Sequence, residues 1–312
     1  MKRLFVAVAA FALAAGIASA QDMSAAVETF NAGAKARNEN NNAEALAQFK
    51  SALTQFEACA EDEAAEKVAE CKKLIPQTII AIAKEQIKED ACDEAMETLK
   101  EAVSVAEGYG LEEIAAEAKE LVPTAWMRKG STLMDAKDFA GAAAAFKAAV
   151  TLNPEDGQSQ LLYGRALMQA GDNDGAITAL KAAAEFGKAE TANKLLPNAF
   201  IRKAQALLKA NKPADAIAAL EEANSISETA NAYMLIANAN TKLGKSKAAI
   251  DAYKKYLEID PNAKNAADIM FTIAATAQKA GDKATAIEYY KKLSSNAKYS
   301  AQASAQLGAL QK

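Results

Sequence analysis

The chain has 312 residues, 36 basic and 40 acidic side chains, a net charge of −4 and no histidine. The missing histidine excludes Ser-His and Cys-His nucleophile pairs and His-ligated zinc. Abundant alanine, with only 14 Gly, 6 Pro and 6% aromatic residues, favours helices over sheets.

Lys2 and Arg3 open the chain, an apolar run follows from Leu4 to Ile17, and Ala18-Ser19-Ala20 closes it. A cationic start, a short apolar stretch and a small-x-small site predict a secretory signal peptide over residues 1–20, cleaved after Ala20. A membrane anchor is disfavoured, because a span needs about 20 strongly apolar residues and this run is short and alanine-rich. Gln21 follows the cut where a lipoprotein would carry cysteine. The short signal fits a Gram-negative cell, so the expected compartment is the periplasm. No later stretch is apolar enough to cross a membrane.

The small net charge hides a division. Residues 21–122 hold 22 acidic and 10 basic side chains, net −12, whereas residues 123–312 hold 18 and 24, net +6. The acidic first part and the lack of any dense Lys/Arg block argue against nucleic acid as a partner. The expected organisation is an acidic helical region over 21–122, a repeat array over 123–295 and a capping helix over 296–312.

The segment Gly244–Pro261, GKSKAAIDAYKKYLEIDP, resembles the second helix of a tetratricopeptide repeat. In that family a small residue anchors the second helix and a large residue follows four later. Another small residue lies twelve before the anchor, on the first helix. Ala45, Ala95, Ala142, Ala176, Ala216, Ala249 and Ala286 fit as anchors. Four on lie Phe49, Leu99, Phe146, Leu180, Leu220, Tyr253 and Tyr290; twelve before lie Gly33, Ala83, Gly130, Gly164, Ala204, Ala237 and Ala274. Two helices approach closely only where side chains are tiny, which is the physical basis of the pattern. The resemblance covers about residues 26–295. It implies an all-α, right-handed superhelical solenoid of about seven hairpins, with first helices lining a concave groove.

The anchor spacings are 50, 47, 34, 40, 33 and 37, against a family repeat of about 34. Each long interval contains an apolar pair and a proline, at Pro76, Pro123 and Pro197, nineteen before the next anchor. Extended first helices are expected there, with a kink or a fresh helix start at the proline.

Of the cysteines, Cys59 lies six past Leu53 and Cys71 five before Pro76. The antiparallel register of neighbouring helices brings Leu53 and Pro76 level, so a Cys59–Cys71 disulfide is expected in an oxidising compartment. Cys92 reads as a buried small residue. The stretch Ala239–Ser246 misses a phosphate loop, since Ala239 replaces glycine and no strand precedes it. Asp172–Gly175 lacks the first calcium ligand, with Ala170 in its place, and reads as a turn with a helix N-cap. No metal, cofactor or catalytic cluster is indicated, and no enzyme activity is expected.

The stripe expected to face the groove lies eighteen, fifteen, eleven and eight before each anchor. Its apolar members include Met127, Met134, Leu161, Met168, Ile201, Leu208, Met234 and Phe271. Its polar members include Gln158, Arg165, Asn198, Gln205, Asn231 and Asn238. Amides pair with an extended peptide backbone, and methionines form an adaptable floor. The same stripe also reads as core, covered by neighbouring repeats. The function this implies is a periplasmic scaffold or adaptor for another protein or peptide segment, the alternative being a chaperone-like assembly factor for envelope proteins. The lysine and asparagine clamp that some relatives use on a peptide carboxylate is missing; only Arg128 and Arg165 offer strong groove-side charge.

Overall fold

The computed structural model describes residues 23–59 and 62–310, so the expected signal peptide lies outside it. The described residues form fifteen α-helices and no strand. Seven successive hairpins pair α1 (Met23–Asn38) with α2 (Asn42–Ala58), α3 (Ala64–Lys88) with α4 (Cys92–Gly108), α5 (Glu112–Asp135) with α6 (Phe139–Leu152), α7 (Gly157–Ala170) with α8 (Asn173–Ala183), α9 (Ala189–Lys209) with α10 (Pro213–Ile226), α11 (Ala230–Lys242) with α12 (Ser246–Ile259), and α13 (Ala266–Lys279) with α14 (Lys283–Lys292). A kinked turn (Ala184–Lys188), with Gly187 at a φ of 84°, joins α8 to α9, and α15 (Ser300–Leu310) is the last described helix.

The seam of each hairpin follows the small-and-large spacing. All seven anchor alanines are fully buried, and the large residues four on are at most 5% exposed. These large residues pack on the small residue of their own hairpin. A Cβ added to Gly130 would lie 2.6 Å from the Phe146 ring, and one on Gly164 would lie 2.8 Å from Leu180 Cγ. Both distances are below van der Waals contact, so the backbones approach as closely as glycine allows.

The turns are as regular as the seams. The residue five before every anchor has positive φ: Asn40, Asp90, Lys137, Gly171, Asn211, Gly244 and Gly281. The amide after it returns to the first helix, as in Asn41 N to Ala36 O at 2.8 Å and Lys245 N to Asn240 O at 2.9 Å. This left-handed cap reverses the chain in two or three residues while satisfying the carbonyls of the ending helix. Asp138, Asp172 and Asp282 then cap the next helix through their carboxylates.

The prolines start no new helix. Pro76, Pro123 and Pro197 lie inside single helices of 25, 24 and 21 residues, whereas the other four first helices have 13–16. Proline removes one backbone hydrogen bond, but its φ suits a helix. Pro76 and Pro197 are buried, so packing on both sides holds the helix together across the lost bond.

The chain divides into two compact units, residues 1–128 and 129–312, with the division inside α5. The first unit has a core built on Phe30, Phe49 and Phe56 with Cys71, Ile75 and Ile79. The second has its own core of alanine, leucine and tyrosine from α6 through α15.

Within the first unit, α2 and α3 run in the expected register, with Glu57 and Lys72 paired at 3.1 Å. The expected Cys59–Cys71 disulfide is nevertheless not formed in the structure. Cys59 Sγ turns back along its own helix and donates to the Gln55 carbonyl at 3.3 Å. Cys71 is a fully buried thiol. Burial pushes its pKa up to about 11, helped by Glu70 and Glu57 and opposed by Lys67. Cys92 begins α4 and is buried, as a small packing residue.

Candidate functional site

The first helices α7, α9 and α11 belong to the second unit and carry most of the stripe read from the sequence. The structure splits that stripe in two. Gln158, Arg165, Asn198, Gln205, Asn231 and Asn238 are all exposed. Leu161, Met168 and Ile201 are 5–6% exposed and belong to the core. Met134, Leu208, Met234 and Phe271 are half-buried and pack against the same core. Met127, in the first unit, is also half-buried. Leu161 and Met168 therefore form no floor open to a partner.

Helix geometry explains the split. Each residue advances about 100° around the helix. Measured from the seam residue twelve before the anchor, the apolar positions lie about 40–60° round, and the polar positions about 100–120° round, in the same sense. The first set is close enough to the seam for neighbouring helices to cover it. The second set is turned out to solvent.

Several contacts fix this outer row. Asp156 caps α7, accepting from the Gln158 and Ser159 amides at 3.3 and 2.9 Å and from the Ser159 hydroxyl. Burial alone would raise its pKa, but these hydrogen bonds outweigh it and the carboxyl is held below the usual range. Arg202 Nη1, on α9, donates to the Met168 carbonyl at 2.9 Å and ties α9 to α7. Tyr253 donates to Asn238 Oδ1 at 2.9 Å, which leaves the Asn238 amide nitrogen facing outward. Arg165 makes no ion pair with a described residue, whereas Arg128, in the first unit, pairs with Asp90. The row thus offers amide donors and acceptors and one unpaired cation, on three successive first helices.

Sequence reasoning missed a second feature of this unit. On the other side of the seam, two clefts open between α8, α9 and α10 and between α10, α11 and α12. Their walls gather carboxylates from the second helices and from Glu228, just before α11. No pattern along one helix reveals this, because each cleft collects residues from three.

A family model of the tetratricopeptide repeat matches residues 113–191 and 201–264. No curated protein sequence matches the chain. Among solved structures, the chain is similar to the MamA protein at 23% identity, over 59% of this chain and 96% of that one, with a TM-score of 0.41. It is similar to YrrB, described as a tetratricopeptide repeat protein with an unusual peptide-binding site, at 16% identity over 58% and 90% of the two chains, with a TM-score of 0.38. Pseudomonas aeruginosa pilF is similar at 14% identity over 75% and 99%, with a TM-score of 0.35.

Proposed function

From a chain that belongs to the tetratricopeptide repeat family, we propose a non-catalytic scaffold that binds an extended segment of another protein in the bacterial envelope. The fold supports protein–protein interaction in general. The observation that carries the finer reading is the row Gln158, Arg165, Asn198, Gln205, Asn231 and Asn238, all exposed at equivalent positions of α7, α9 and α11. Side-chain amides each hold a donor and an acceptor, so a ladder of them matches the alternating N–H and C=O of a peptide in either register. The half-buried Met234 and Leu208 beside the row add adaptable apolar contact. Cleavage after Ala20 would deliver the mature chain to the periplasm, and N-terminal sequencing of the secreted protein checks that step.

The functional test is a crosslinking capture from an envelope fraction. The protein with Asn198→Ala, Gln205→Ala and Asn231→Ala together is compared with the unaltered chain. Loss of the captured partner at an unchanged melting temperature supports the reading. Undiminished capture by the triple variant rejects the amide row as the binding surface.

A further inference from the structure

We infer that the second unit carries another docking surface, an acidic cleft shaped for a lysine- or arginine-bearing segment of a partner protein. It uses none of the amide-row residues and stands whether or not that row binds a peptide.

The cleft has two adjoining parts, of about 720 and 630 Å³, and Glu221 lines both. Six carboxylates line them: Asp174, Asp215, Glu221, Glu222, Glu228 and Asp251. The only lining cations are Lys203 and Lys255, and both are engaged, Lys203 with Asp174 at 2.6 Å and Lys255 with Glu258 at 2.9 Å. Glu228 accepts from Tyr233 at 2.7 Å. Asp215, Glu221, Glu222 and Asp251 have no cationic partner among the described residues. This excess stands out against its setting. Residues 123–312 carry a net +6, yet six of their 18 acids meet at these two openings. Carboxylates gathered without cations repel one another, and a bound cation removes that repulsion.

A second observation, independent of charge, also points to a donor-bearing ligand. Asn240 lines the part between α10 and α12 and is only 5% exposed. Its Nδ2 donates to the Ile236 carbonyl at 3.0 Å. A carbonyl can only accept, so this bond fixes the amide orientation and leaves Oδ1 as the other end. No described residue donates to that oxygen, and it is not among the fully enclosed unsatisfied atoms. It is therefore an acceptor held at the cleft wall with no donor from its own chain.

The floor completes the match. The half-buried Leu207 in one part and Tyr233 in the other, backed by the buried Phe200 and Ile236, offer apolar and aromatic surface beneath the acids. A lysine or arginine lays its aliphatic stem on such a floor and its charge on the rim. A polyanion such as nucleic acid meets like charge along the whole rim and is repelled.

The cleft is also a separate face. Phe200, Lys203 and Leu207 of α9 lie about 40–100° round from the seam, in the sense opposite to Asn198 and Gln205. Tyr233, Ile236 and Asn240 occupy the same positions on α11.

The test uses the full chain and a labelled lysine-rich synthetic peptide with interspersed leucines, with a version carrying glutamate for lysine as control. Fluorescence anisotropy is read across a salt series. The unaltered protein is expected to bind the lysine peptide alone and to release it as salt rises. Glu221→Gln with Asp251→Asn is expected to weaken binding by about fivefold or more. Glu190→Gln, which removes an exposed acid of α9 outside the cleft, and the Asn198→Ala/Gln205→Ala pair are expected to leave it unchanged. An undiminished affinity in the cleft variant, an equal loss in Glu190→Gln, or no binding of the lysine peptide by the unaltered chain overturns the proposal. Loss of envelope-partner capture only in the amide-row variants bears on that row and not on this cleft.

Discussion

The two units are built on one hairpin and spend their polar residues differently. In the first, lysines join one helix to the next or to the next but one: Lys50 to Glu101, Lys72 to Glu57, Lys84 to Glu117 and Lys119 to Glu107. The positions that carry the amide row in the second unit hold Val27, Ala34, Gln77, Lys84 and Thr124 in the first. Lys84 and Thr124 alone among these are exposed, and Lys84 is paired. On α7, α9 and α11 of the second unit the same positions are exposed amides and an unpaired arginine, and the cleft acids Asp215, Glu221, Glu222 and Asp251 have no cationic partner among the described residues. The first unit ties much of its polar surface into ion pairs between helices, and the second leaves an outer row of its first helices and several acids of its second helices without such partners. Exposed ion pairs contribute little stability each, about 0–1 kcal/mol, so the contrast concerns what each surface is left to do more than how firmly each unit is folded.

That contrast depends on a sharp line between covered and uncommitted sides of α7 and α9. Met168→Glu puts a charge on the covered side and displaces packing around a side chain only 6% exposed, and is expected to cost about 3–5 kcal/mol. Gln205→Glu puts the same charge on the open side and is expected to stay within about 0.5 kcal/mol. Denaturant melts of the two variants measure both. A Met168→Glu protein as stable as the parent would move the line and reopen Met168 as a partner contact.

The closed character of the first unit has a chemical readout. With its pKa near 11, Cys71 holds very little thiolate at neutral pH, and the thiolate is the reacting form. Timed alkylation of the folded protein, followed by peptide mapping, is expected to label the partly exposed Cys59 well before the fully buried Cys71. Labelling both at one rate would mean that the first unit opens readily around α3. Mapping that recovers Cys59 bonded to Cys71, from protein prepared under oxidising conditions, would restore the pairing that the helix register favours.

The seam was legible in the sequence because its cause is steric. Gly130 must be small wherever Phe146 packs on it, whatever partner the protein serves, so the spacing records the backbone approach directly. The lengthened helices were legible for a similar reason, since an insertion of regular helical sequence has no other place in a hairpin array. The interior position of the prolines was not legible, because it depends on burial of Pro76 and Pro197 by other helices. The stripe was read as one surface because its positions share a helical face. A further 60° of rotation separates Met168 from Gln205 in environment, and that angle matters only once neighbouring helices are in place. The cleft was illegible for the strongest reason: Asp174, Glu221 and Asp251 come from three different second helices and meet only in the folded unit.

The turn is the feature both units share, and it tests whether they differ in local strain as they do in surface. The residue five before each anchor must adopt positive φ, at 58° for Asn40 in the first unit and 61° for Lys137 in the second. For an ordinary L-residue this conformation costs about 1–2 kcal/mol, from Cβ against the following carbonyl. Asparagine tolerates it better, because its short polar side chain bonds locally. Glycine removes the Cβ but adds unfolded-state entropy, which offsets part of the gain. Lys137→Gly is therefore expected to stabilise by about 0.5 kcal/mol, and Asn40→Gly to change stability by less than that. Chemical denaturation with both variants in parallel measures the difference. Destabilisation by Lys137→Gly would show that the lysine side chain contributes a contact worth more than the strain of its backbone.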